Sequence, residues 1–339
     1  MTEEDKHDGG LELSGRNVSD DDMVQNVIKA KAKAAEQSRV IKSLTKDRDQ
    51  LLDEYTDMRD ARPVPKQRKR SGGKRPETIV RVSVGDVHGM MMDKAAVAVF
   101  LEDVKMLCPD EIVLGGDIAE CGGWLAKHQP MGYVALCDYS YQEDCKAANW
   151  FLDEVQKAAP SAEMHYIEGN HEDRVERWCV DQTMAHKRDA EFLRKAFAPE
   201  YMLRLAERGI SYYRRSVIYG DGYPRGWIKL GSMFFTHELG ASKNAARDAI
   251  MKTAGNVTYF HTHREDSATV VFPEVGIVKA FNPGCLCSMQ PVWKRSDPTT
   301  WSQGYQIEFV AKQGNFQCVH VPIWRGGSLA GAMCEKFKS

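Results

Sequence analysis

Five short polar clusters in this chain carry residue types that bind divalent metals. They are Gly85-Asp86-Val87-His88-Gly89, Gly116-Asp117, Gly169-Asn170-His171-Glu172, His237-Glu238 and His261-Thr262-His263. Five of the ten histidines fall within them. Asp86, His88, Asp117, Asn170, His237, His261 and His263 form a set of oxygen and nitrogen donors without a thiolate, suited to manganese, iron, zinc or magnesium. Seven donors are too many for one tetrahedral site and enough for two sites that share a carboxylate. Two cations roughly 3.5–4 Å apart can clamp a phosphoryl group and activate a water as nucleophile. A single Asp-x-His or His-x-His is a weak signal. The weight lies in five clusters together.

Each cluster follows an apolar, β-type run. Residues 78–84 precede Asp86, 111–114 precede Asp117, 164–167 precede Asn170, 232–236 precede His237, and 256–260 precede His261. Loops at one end of a sheet converge in space, so clusters far apart in the chain can share a pocket. Residues 268–272 read as a further strand, and the C-terminal run reads as a hairpin around Gly314-Asn315. Helices are expected near 92–106, 142–158, 173–208 and 242–254. Strands separated by helices, then a strand-rich final third, predict an α/β layered fold with two facing sheets.

The order D-x-H, G-D, G-N-H-E, H, H-x-H resembles the signature of the calcineurin-like metallophosphoesterases, nearest to their DNA-repair-type nucleases and phosphodiesterases. The resemblance spans about Thr78 to Pro283. It implies a four-layered α/β/β/α sandwich with a dinuclear site at its edge, and hydrolysis of a phosphoester by a hydroxide bridging two metals, manganese being the first expectation. It implies that Asp86, His88 and His263 hold one ion, that Asn170, His237 and His261 hold the other, and that Asp117 bridges them. His171 resembles the family's catalytic histidine, which is not a ligand, and Glu120 stands where some members keep an acid that orients it. A solvent-facing loop acid is the plainer reading of Glu120.

Two departures stand out. Phe260 occupies a position usually held by glycine, where it would either narrow the pocket or end a buried strand. Protein phosphatases of the superfamily follow the bridging aspartate with an acid and then an arginine; here Glu120 is followed by Cys121. Arg174 could stand in for that arginine, although a surface helix arginine is the blander reading. Asn282, in an Asn-Pro-Gly near the site's expected rim, would act indirectly. The neighbouring Cys285 and Cys287 read as packing, and Trp301 as core.

The rest of the chain bears on substrate and partners. Residues 1–22 read as a disordered acidic tail. Residues 23–60 read as helical, with a thin apolar stripe interrupted by Ser38 and Arg48, which fits a short self-associating coiled coil or a solvated helix. Residues 61–77 form a flexible basic linker ahead of the 78–339 domain. Its Lys66, Arg68, Lys69, Arg70, Lys74 and Arg75 could contact the phosphates of DNA, or serve only solubility. The competing substrates are nucleotides, other small phosphoesters or phosphoproteins. A different class, an assembly module with an incidental metal site, is disfavoured because no ligand is lost. The net charge of −2 and 42% hydrophobic content exclude little. No apolar run approaches the ~20 residues that cross a bilayer. The first 30 residues lack a signal-peptide core, and the nine cysteines are odd in number without a CxxC pair, which together suggest a cytoplasmic protein.

Overall fold

The computed structural model describes residues 63–67, 77–126, 138–183, 187–291 and 299–330, together with isolated positions between 25 and 42, all of them helical. The chain divides into two units, Met1–Arg62 and Pro63–Ser339. All five polar clusters belong to the second unit, which is built on two sheets.

The first sheet has seven strands. β1 (Thr78–Val84), β2 (Glu111–Leu114), β3 (Glu163–Ile167) and β4 (Ser211–Tyr213) run parallel. The second sheet holds β5 (Ile228–Leu230), β6 (Met233–Thr236), β7 (Asn256–Tyr259), β8 (Glu265–Phe272) and β9 (Gly276–Pro283) in the order β5-β6-β7-β9-β8. β10 (Gly304–Ala311), β11 (Phe316–Trp324) and β12 (Gly327–Ser328) return to the first sheet, which β10 joins antiparallel to β1.

Alternation along the strands divides their side chains between two cores. Val82, Val84, Ile112, Leu114, Met164 and Tyr166 point to one side of the first sheet, into a core shared with helices α1 (Lys94–Leu107) and α2 (Tyr141–Ala158). Val113 and Ile167 point to the other side and meet Ile228, Met233, Phe235 and Phe281 of the second sheet. On that sheet's far face, Val257, Tyr259, Val278 and Ala280 pack under Ala245, Ala246, Ala249 and Ile250 of α7 (Ala245–Thr253). Helix, sheet, sheet, helix is the expected four-layer order.

Most of the expected strands recur within a few residues, and β10 and β11 form the hairpin around Gly314. Four strands lie outside the sequence expectation. β4, β5 and β12 are short, and β9 carries Gly276, Lys279, Asn282 and Pro283, which dilute its strand signal. Yet β9 pairs with both β7 and β8. The single helical stretch expected over 173–208 is four helices: α3 (Glu172–Gln182), α4 (Lys187–Phe197), α5 (Pro199–Met202) and α6 (Leu205–Arg208). Pro199 holds the residue before it extended, with Ala198 at ψ 140°, and Arg204 turns left-handed at φ 53°.

Part of the segment expected to be a flexible linker is anchored. The Gln67 amide N–H donates to Arg208 O at 3.0 Å, its side-chain amide donates to Ala159 O at 3.0 Å, and its side-chain oxygen accepts from Gln156 Nε2 at 3.1 Å.

Candidate metal centre

β1, β2, β3, β6 and β7 end at the same edge of the facing sheets, and the seven candidate donors lie just beyond them. All seven come together. Asp86, His88 and Asp117 converge as one group that could hold a metal; Asp117, His237 and His261 converge as a second. Asp117 belongs to both, as a bridging carboxylate would. Asn170 Oδ1 is 2.9 Å from His237 Nε2, and His263 Nε2 is 3.3 Å from Asp86 Oδ1 and 3.0 Å from His88 Nε2.

The loops that carry these donors are stitched to one another. One Asp86 carboxylate oxygen accepts the His261 amide N–H at 2.9 Å, and one Asp117 oxygen accepts the His171 amide N–H at 2.9 Å. The other oxygen of each, Asp86 Oδ1 and Asp117 Oδ2, is buried and accepts no hydrogen bond. Each faces a histidine ring nitrogen, His263 Nε2 at 3.3 Å and His237 Nε2 at 3.2 Å, without a hydrogen bond, and a divalent cation bound by ring and carboxylate would supply the missing partner. Asp117 and the imidazoles beside it also shift one another. Although burial pushes the Asp117 carboxyl up, His171 and His237 beside it draw it well below the usual range. Burial also opposes charge on His237, yet Asp117 holds that imidazole up at about 9. The donor set fits hard-to-borderline divalent ions.

The outer ring nitrogens of two proposed ligands are occupied. His88 Nδ1 lies 2.6 Å from a Glu120 carboxylate oxygen, and His237 Nδ1 donates to Gly115 O at 2.7 Å. Such partners fix which nitrogen faces a metal. Glu120 is therefore no solvent-facing loop acid; it is 3% exposed. Its carboxylate is closer to His88 than to His171 Nδ1, which lies 3.4 Å away, while its backbone carbonyl receives the His171 Nδ1–H at 2.5 Å.

Arg174 also departs from the blander reading. One guanidinium N–H donates to His171 Nε2 at 2.8 Å, and others reach Glu120 O and Cys121 O. Because a guanidinium only donates, this assigns His171 the tautomer with its proton on Nδ1.

Phe260 ends a buried strand and does not line the pocket. It is fully buried, and a Cβ on Gly115 would come within 2.3 Å of its ring. Asn282 ties down the H-x-H loop: its side-chain amide donates to Phe260 O at 3.0 Å and Thr262 Oγ1 at 3.1 Å.

Several residues were not singled out from sequence. Glu172 accepts from the backbone amides of Asp117, Ile118, Ala119 and Gly169 and from Tyr166 Oη, at 2.7–3.1 Å. Its place in the G-N-H-E string was the available signal. Asp144, in the first turn of α2, accepts from the amides of Met90, Glu120 and Cys121 and from Tyr139 Oη. Nothing local marks it. Cys287 and Trp301, read from the sequence only as packing and core, both touch His263, at 3.6 Å and at a ring separation of 4.1 Å. They line a pocket with His88, Met91, Glu120, Ser288 and Pro291. Of the expected nucleic-acid contacts, Lys66 is exposed, while Arg68, Lys69, Arg70, Lys74 and Arg75 lie outside the described residues.

No family model matches the chain, and no curated protein matches it. Among solved structures, vacuolar protein sorting 29 from Cryptosporidium parvum is similar at 9% identity and a TM-score of 0.35, over 75% of this chain and 95% of that one. The phosphoesterase Yfce from E. coli is similar at 16% identity and a TM-score of 0.32, over 71% and 98%. The NAD nucleotidase of Haemophilus influenzae is similar at 10% identity and a TM-score of 0.34, over 76% and 55%. Likenesses this loose carry no activity from those proteins to this chain.

Proposed function

We propose that this chain is a metal-dependent phosphoester hydrolase that works with two divalent cations and acts on phosphodiester bonds in DNA. The observation that carries the hydrolase reading is the meeting of seven oxygen and nitrogen donors, from five separate loops, around two buried carboxylate oxygens without hydrogen-bond partners. Asp86, His88 and His263 would hold one cation, Asn170, His237 and His261 the other, and Asp117 both. When bound, such a pair would polarise the phosphoryl group and lower the pKa of a bound water.

The remaining work falls to the chain's own side chains. His171 Nε2 lies 3.7 Å from Asp117 Oδ2 and accepts from Arg174; it would protonate a leaving oxygen beside that carboxylate only once it carries a proton of its own and a bound phosphoryl group takes the guanidinium over. Arg174 orients His171 and offers a guanidinium to a phosphoryl oxygen. Glu120 keeps His88 in its metal-facing tautomer. The choice of DNA rests on the basic cluster at 62–75, which includes the exposed Lys66.

A second reading, hydrolysis of phosphomonoesters, is favoured by Arg174. It supplies next to His171 the arginine that the residues after Asp117 lack. Turnover of bis-p-nitrophenyl phosphate against p-nitrophenyl phosphate, with manganese, separates the two readings. Asp117→Asn should abolish turnover of whichever ester is cleaved. Equal rates for the unaltered chain and this variant would overturn the hydrolase assignment.

A further inference from the structure

Three imidazoles proposed as ligands have an outer nitrogen held by another group. For His88 it is held by a carboxylate and for His237 by a backbone carbonyl. For His263 it is held by sulfur: Cys287 Sγ lies 3.6 Å from His263 Nδ1, while Nε2 of the same ring faces Asp86 Oδ1 and His88 Nε2. We infer that Cys287 is a positioning residue of the metal centre, its sulfur accepting the His263 Nδ1–H and so turning Nε2 toward the cation shared with Asp86 and His88. This inference rests on the two-metal reading above.

The surroundings make the sulfur a fixed point. Cys287 is 3% exposed. Its carbonyl accepts from Gln303 Nε2 at 3.0 Å, and that same amide reaches Asp93 Oδ2 at 2.9 Å. The preceding Leu286 amide N–H donates to Asp86 O at 3.2 Å, so the segment bearing the sulfur is sewn to the loop bearing the carboxylate. Neighbouring contacts also reach the backbone of His263. The Cys285 thiol reaches Ser302 O at 3.5 Å, and the Ser302 amide N–H donates to His263 O at 2.8 Å. The Trp301 ring packs against His263 at 4.1 Å between centroids, tilted by 58°. Sulfur is a weak acceptor. It fixes the tautomer and direction of the ring while adding little to its basicity, which distinguishes this ligand from His88 with its carboxylate.

The test measures metal binding by the full-length chain. Loss of an outer partner of a metal-bound histidine typically weakens metal affinity about 10–100-fold. Manganese titration followed by calorimetry should show two ions bound by the unaltered protein. In Cys287→Ala one of the two should weaken by about 10–100-fold, with the other unchanged. Cys287→Ser, whose hydroxyl still accepts the Nδ1–H, should restore most of that affinity. Cobalt-loaded unaltered protein should lack a sulfur-to-cobalt charge-transfer band. Unchanged affinities in Cys287→Ala, equal losses in the alanine and serine variants, or such a band would each overturn the inference, the last by making Cys287 a ligand. An unaltered protein that binds no divalent cation would overturn the two-metal reading and this inference with it. Two bound ions with an indifferent Cys287 would overturn this inference alone.

Discussion

Asp86, His88, Asp117, His261 and His263 all have positive φ, between 51° and 74°. Non-glycine residues rarely enter this region, and each such position costs on the order of 1–3 kcal/mol. That strain is concentrated on donors of the proposed cage, where backbone hydrogen bonds such as those from the Val87 and His88 amides to Asp117 O over-determine the turns. His171 is relaxed by comparison, with φ −75° and ψ −48° at the start of α3. Replacing it should therefore disturb chemistry more than structure. His171→Ala is expected to retain both manganese ions and to lower kcat by roughly 10²–10⁴-fold, the range for a positioned acid or base. Metal analysis that finds one site empty in this variant would make His171 a ligand.

The elements place these residues through a few buried acids rather than through the strands alone. Glu172, at the start of α3, gathers the amides of the Asp117 loop, and Asp144, at the start of α2, gathers those of Met90, Glu120 and Cys121. Between the sheets, Arg81 on β1 is 1% exposed and pairs with Glu111 on β2 at 2.7 Å and Glu308 on β10 at 2.8 Å, its guanidinium 5.3 Å from the Phe235 ring of the second sheet. Removing one member of a buried ion group leaves uncompensated charge, which typically costs about 3–5 kcal/mol. Arg81→Ala should lose about that much in urea unfolding. A loss below about 1 kcal/mol, the scale of an exposed ion pair, would mean that this pairing does not hold β1, β2 and β10 together.

For the whole molecule, the basic segment at 62–75 decides between the two substrate readings. Deleting the entire linker would also remove Gln67, which is bonded to Arg208 O and Ala159 O, and would mix a stability effect into a binding assay. A cleaner variant keeps the full chain and replaces Arg68, Lys69, Arg70, Lys74 and Arg75 with glutamine. If the linker holds DNA, this variant should bind DNA more weakly, with a shallower dependence on salt, each lost phosphate contact lowering the slope by roughly 0.9. Hydrolysis of bis-p-nitrophenyl phosphate should be unchanged. Unaltered DNA affinity and salt dependence would remove the linker's role and leave the phosphomonoester reading the stronger one. The coiled-coil expectation for 23–60 lies largely outside the described residues. Among the described residues no helix is long and apolar enough to cross a membrane.

The sequence by itself determined the donor types, their order and the strand endings on which they sit. Metal chemistry depends on residue identity, and a strand that ends in Gly-Asp or His-x-His writes its pattern into adjacent positions. The order of its elements, strands separated by helices and then a strand-rich final third, also predicted two facing sheets. Tertiary structure alone decided what surrounds those donors. Arg174 reaches His171 only because α3 turns that face inward, and Phe260 fits only because Gly85 and Gly115 leave room for its ring. Asp144 and Cys287 meet loops 23–54 and 24 positions away, respectively, with no local signature of the meeting. A ligand is chosen by its own chemistry, whereas the group that orients it is chosen by proximity, and proximity between distant segments exists only once the chain has folded.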